Sequence, residues 1–137
     1  MNNPWRLSQD PPGLTISRAS SIISEIMPVD ERFRKGLELF NEKEFFECHE
    51  VIEELWLETP QGHPHRDLYK GVIQAAAAIY QFDRGILSGA DSLYKTSIAY
   101  LEKYKPAALG LNVEKMIEGM NAFFSEKENQ TPTLEYH

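Results

Sequence analysis

Apolar residues along the chain recur at helical spacing from Asp30 to Phe124, and no segment sustains the period-two alternation of a strand. Asp30 reads as the N-cap of a first core helix carrying Phe33, Leu37 and Phe40 at i, i+4 and i+7. A tight break at Asn41–Lys43 leads into a second helix from Glu44 to about Glu58, and TPQGHP at 59–64 is a loop by composition. A third helix is predicted from about His65 to Arg84, closed by Gly85, and a fourth from about Ser88 to Lys105, stopped by Pro106. The fourth places Ala90, Leu93, Tyr94, Ile98, Leu101 and Tyr104 on one stripe. Asn112 caps a fifth helix with Val113, Met116, Ile117, Met120, Phe123 and Phe124 on one face. Short connections make sequential helices antiparallel neighbours. The expected fold is all-α: a compact bundle or array of about five core helices in antiparallel hairpins, plus a short N-terminal helix at Ser17–Met27. Residues 1–29 form an extended leader around that helix, 30–125 a single helical domain, and 126–137 a tail expected to fray.

The third helix sets the architecture. Its stretch GVIQAAAAIYQF at 71–82 is small or apolar on nearly every side, which marks a buried helix. Lys70 and Gln74 share one face of it, and polar groups in such a helix need partners.

The composition narrows the function. With 21 acidic and 14 basic side chains the net charge is −7, which argues against a nucleic-acid backbone as partner. No apolar run reaches the roughly 20 residues that span a bilayer, so no membrane role is expected. A single cysteine forms no internal disulfide, and the first residues carry no secretory pattern, so the expected location is cytoplasmic. Trp5 in the leader leaves a homodimer open.

The acidity is local. Glu42 to Glu58 holds seven acids and one lysine, a net −6 that leaves −1 for the rest of the chain. On the second helix Phe45, Cys48, Val51, Ile52, Leu55 and Trp56 form the core side, whereas His49, Glu50 and Glu53 fall together elsewhere, flanked by Glu47 and Glu54. Three readings of the His–Glu group compete: a structural network in which Glu50 or Glu53 pairs with Lys70; a divalent metal held by His49, Glu50 and Glu53; and catalysis built on that metal or on a Glu–His pair. His49-Glu50-x-x-Glu53 stands one residue from the H-E-x-x-H of zinc peptidases, with Glu50 in the place of the base and His63 or His65 as the nearby source of a third ligand. No peptide-binding strand accompanies it. Cys48 lies on the apolar side and reads as a buried structural thiol.

The stretch from Phe40 to Trp56, with its aromatic pair, E-x-H-E-x-x-E and a tryptophan after two more residues, resembles the hallmark of domain-of-unknown-function family 309. Lys70-G-V-I-Q-A-A-A-Ala78 and Ser88-G-A-D-S-Leu93 follow in the family's order, so the likeness covers about residues 30–105. The resemblance implies a compact all-α fold and groups Glu47, His49, Glu50, Glu53 and Trp56 with Lys70 and Gln74 as one site. It supplies no reaction. The family often has His where this chain has Tyr80, and Asn where it has Ile86, so a tyrosine hydroxyl stands where a metal ligand would. The leading expectation is a non-catalytic binding module for a protein or small ligand, with the Glu/His cluster in a groove. The alternative is a divalent-metal-dependent, hydrolase-like enzyme with His49 and Glu53 as ligands and Glu50 as base.

Overall fold

The computed structural model describes residues 29–125 and 129–137, so the expected leader helix lies outside the described residues. The chain is all-helical apart from a two-stranded ladder: α1 (Glu31–Asn41), α2 (Phe45–Glu58), α3 (Arg66–Asp83), α4 (Leu87–Leu101), a 3-10 turn (Glu102–Tyr104), β1 (Ala107–Ala108), β2 (Leu111–Asn112) and α5 (Val113–Phe124). α1 to α4 run as three successive antiparallel hairpins, α3 packing most extensively on α4 and then on α2.

Side-chain caps start α1 and α5 where the sequence predicts. The Asp30 carboxylate accepts the Arg32 N–H at 2.8 Å, and the Asn112 side chain accepts the Lys115 N–H at 2.9 Å. Lys43 takes a left-handed φ of 65° between α1 and α2, and Gly85, at 79°, ends α3. Phe33, Leu37 and Phe40 are buried as their spacing requires. On α2, Phe45, Cys48, Ile52 and Leu55 are buried, while Val51 and Trp56 lie at the rim of the expected core side.

α3 is covered almost all round. Leu68, Tyr69, Gly71, Val72, Ile73, Ala75, Ala76, Ala78 and Ile79 are buried, and Lys70, Gln74, Ala77 and Tyr80 form one half-exposed stripe. Its approach to α4 uses small side chains: Gly71 leaves room for Leu101, and the Ser97 hydroxyl donates to the Gly71 carbonyl at 2.8 Å. This corrects the expected stripe of α4, where Ala90, Ser97 and Leu101 are the buried residues and Leu93, Tyr94 and Ile98 are only half-buried. A close helix pair selects small and hydrogen-bonded residues over bulk.

Two further expectations are corrected. The β1–β2 hairpin was not foreseen; its two-residue turn needs positive φ at both centres, and Leu109 (48°) with Gly110 (82°) supplies it without the Asn-Gly signal. Residues 129–137 do not fray. Leu134 is 3% exposed, Tyr136 bridges Leu111, and the Asn41 side chain holds the Leu134 backbone at both its N–H (2.7 Å) and its carbonyl (2.9 Å). One buried leucine and paired backbone groups hold a segment whose composition is otherwise that of a solvated loop.

Gly36 tests the closeness of α1 and α2. A Cβ there would stand 2.3 Å from the Ile52 side chain. Gly-to-Ala in an exposed helix gains about 1 kcal/mol. Here overpacking reverses the sign, and Gly36→Ala should destabilise by about 1–3 kcal/mol in urea unfolding. Adding Ile52→Val should recover part of the loss.

Candidate functional site

α2 and α3 are antiparallel, and two ring contacts fix their register: Phe46 on Tyr80 (centroids 5.6 Å apart) and the Lys70 ammonium over Trp56 (4.2 Å). That register sets His49 level with Ala77 and Glu53 level with the Ile73–Gln74 turn. The half-exposed stripe of α3 and the adjoining side of α2 thus share one face, the candidate groove, with the small Ala77 level with His49. Phe46, 48% exposed, and Tyr80 close one end; Trp56, Arg66 and Lys70 close the other.

His49, Glu50 and Glu53 meet between those ends. One potential ligand atom from each lies within 4.8 Å of the others. His49 Nδ1 is 3.6 Å from Glu50 Oε2, and Nε2 is 4.0 Å from Glu53 Oε1, both beyond good hydrogen-bonding range. The His49 ring stacks on Phe46 at 6.3 Å. Two polar atoms on this face, His49 Nδ1 and Gln74 Oε1, are buried with no hydrogen-bond partner. Native interiors seldom leave such atoms unmet.

The expected pairing of Lys70 with Glu50 or Glu53 is not what forms. Its ammonium stacks on Trp56, as does the Arg66 guanidinium at 4.4 Å, and no ion pair joins Lys70 to either carboxylate. Burial pushes the Lys70 ammonium below its ordinary pKa, and the Glu53 charge only partly opposes this. Arg66 escaped the sequence reading; its signal was the four-residue spacing from Lys70 on the helix facing Trp56. Tyr80 offers no hydrogen to a carboxylate here: its hydroxyl accepts from Arg84 at 3.4 Å. Glu47 is exposed and stands outside the three-residue cluster.

His63 and His65 do not supply a third ligand. They sit at the opening of α3, where His63 stacks on Tyr69 and His65 meets the Tyr104 ring at a tilt, more than two helical turns from Ala77. Cys48 faces the core, fully buried, and burial pushes its thiol up to about 12, which suits a structural thiol. On the other edge of α2, Arg32 bridges Asp30 (3.2 Å), Glu54 (3.3 Å) and Glu58 (3.0 Å), so those acids are spoken for outside the groove.

The fold and site define a small helical-array protein with a His–Glu groove between its second and third helices. Residues 33–93, which run from α1 into α4, match the family described as "Domain of unknown function (DUF309)". It is also similar to the "Uncharacterized protein YpuF" of Bacillus subtilis (strain 168), at 35% identity over 88 residues, 63% of this chain and 50% of the relative. The chain thus spans about half the length of that curated relative. Among the described residues, no helix is long and apolar enough to cross a membrane.

Because Glu50 and Glu53 keep access to water, removing the Lys70 charge strands no buried anion. Lys70→Met should change stability by less than about 1 kcal/mol, against the 3 kcal/mol or more expected for breaking a buried pair. The penalty for burying the ammonium is present in full below its folded pKa and is relieved as pH rises towards 10.5, its ordinary value. Chemical denaturation from pH 8 to 10.5 should therefore show wild type gaining stability relative to Lys70→Met as pH rises.

Proposed function

We propose that the chain is a non-catalytic binding module whose α2–α3 groove takes a ligand bearing a cationic, hydrogen-donating group beside an apolar body. The observation that carries this reading is the pair of buried polar atoms without partners, His49 Nδ1 and Gln74 Oε1, on a face that also exposes Phe46. A donor entering the groove would meet the Gln74 carbonyl and the Glu50 and Glu53 carboxylates, while the Phe46–Tyr80 pair offers an apolar platform. The ligand is a small molecule or a side chain of a protein partner. The Glu50 and Glu53 carboxylates, which no lysine or arginine among the described residues pairs, support cation recognition, and the chain's net charge of −7 disfavours nucleic acid.

Benzamidine carries such a cation on an aromatic ring and serves as a probe. In an amide NMR titration it should move signals of residues 46–56 and 70–80 saturably. Glu53→Gln combined with His49→Ala should remove the response while the remaining spectrum stays folded. Shifts scattered over the surface, or equal in that variant, would reject the groove as the site.

A second reading rests on the three potential ligand atoms within 4.8 Å: His49 and Glu53 hold a divalent cation, with Glu50 as third ligand or as base to a bound water. The side chains must draw in to reach metal–ligand distances of about 2.0–2.2 Å, which their partial exposure permits. Sub-stoichiometric Mn²⁺ should then broaden the His49, Glu50 and Glu53 signals first, and His49→Ala should abolish this. An unbroadened spectrum at millimolar Mn²⁺ removes the metal reading and its hydrolase corollary, leaving the binding-module reading intact.

A further inference from the structure

The best-satisfied long-range polar network among the described residues lies away from the His–Glu groove, where residues 132–137 run between α1, β2 and α5. Each position meets a specific feature. Pro132 sits against Gly119 of α5, where a Cβ would come within 2.6 Å of the proline ring, so the glycine is a notch that fits it. Leu134 is the single deeply buried side chain of the segment, and Asn41 reads its backbone at both N–H and carbonyl. Glu135 gives its carbonyl to the Asn112 N–H at 2.8 Å, and its carboxylate meets the Lys115 ammonium and the Asn112 amide. Tyr136 forms an isolated antiparallel bridge to Leu111 of β2, and the His137 N–H donates to the Gly110 carbonyl at 3.0 Å.

Backbone pairing on a sheet edge, one apolar anchor, a side-chain amide clamping the anchor's backbone and a cation for the next residue are the elements by which proteins bind extended peptides. Nothing in this set requires the occupant to be covalently part of the chain. We propose that the groove between α1, β2 and α5 is a docking site for an extended segment with the order Pro-x-Leu-acid-aromatic, which residues 132–136 fill in cis and which a partner chain presenting that order fills in trans. The notch at Gly119, the clamp at Asn41 and the Lys115 cation set the order of residues accepted. The site is separate from the α2–α3 groove, and most of its contacts lie beyond the stretch matched to the family.

The test uses the full chain with Leu134→Asp, which vacates the anchor position, and a fluorescent peptide of sequence Thr-Pro-Thr-Leu-Glu-Tyr-His. Anisotropy should show saturable binding to the variant and at least tenfold weaker binding to wild type, where the chain's own segment competes. Adding Asn41→Ala to Leu134→Asp, or replacing leucine by aspartate in the peptide, should abolish binding. Absence of binding to a Leu134→Asp chain that circular dichroism shows to be folded overturns the proposal, as does equal binding to variant and wild type. Should Leu134→Asp fail to fold, a chain carrying Tyr136→Trp keeps the segment and reports its displacement. Excess peptide then shifts the tryptophan emission, and the aspartate peptide does not. Unchanged emission at peptide concentrations well above the millimolar effective concentration of a tethered segment overturns the proposal equally.

Discussion

The rest of the structure depends on the burial of α3. A helix that is apolar or small on nearly every side must be surrounded, and α2 and α4 do most of the surrounding. Close approach is what makes this possible: Gly71 admits Leu101, and Ser97 satisfies its hydroxyl on the Gly71 carbonyl. The same economy of volume recurs one layer out, where Gly36 of α1 admits Ile52 of α2. Once α3 is enclosed, only the stripe Lys70–Gln74–Ala77–Tyr80 is left uncovered, and that stripe becomes one wall of the candidate groove.

Charge is arranged around that wall so that like groups are drawn apart. Arg32 gathers Asp30, Glu54 and Glu58 on the outer edge of α2. Glu53 is left beside α3 with His49, Glu50 lies next to them towards the cleft that Arg32 and Glu54 line, and the two nearby cations are occupied by the Trp56 ring. Stacking on an indole keeps a cation partly dehydrated without demanding the geometry of a buried ion pair, whose desolvation cost often cancels its attraction. The acidic pair therefore keeps unspent hydrogen-bonding capacity, and so do the buried His49 Nδ1 and Gln74 Oε1. Spare acceptors beside an exposed phenylalanine are the features on which the proposed binding role rests.

The part of the chain beyond the family match is built on a different principle. Residues 33–93 make the three hairpins that create the His–Glu groove, while the β1–β2 hairpin, α5 and residues 129–137 close the opposite flank. Backbone pairing and one leucine anchor, instead of a broad apolar face, hold that flank's outermost layer. This is how a polar segment becomes ordered: its backbone groups are met one by one, by Asn41, Asn112 and Gly110.

The sequence by itself determined the five helices, their caps and most of their buried faces, because 3.6-residue periodicity, Asp30, Asn112, Gly85 and Pro106 act locally. It also determined which residues gather on α2, since His49, Glu50 and Glu53 lie one turn or less apart on a single helix. What crosses between elements was decided only in three dimensions. Whether Lys70 meets a carboxylate or Trp56 depends on the α2–α3 register, and whether Leu93 or Ser97 faces inward depends on how closely α4 approaches α3. The Leu109–Gly110 turn and the docking of Leu134 likewise owe their conformations to neighbours remote in sequence, because a leucine at positive φ and a leucine in a polar segment carry no local signal. Periodicity fixes a helix and its faces through interactions within a few residues, whereas pairing across helices is set by shape and by partners that only the folded chain brings together.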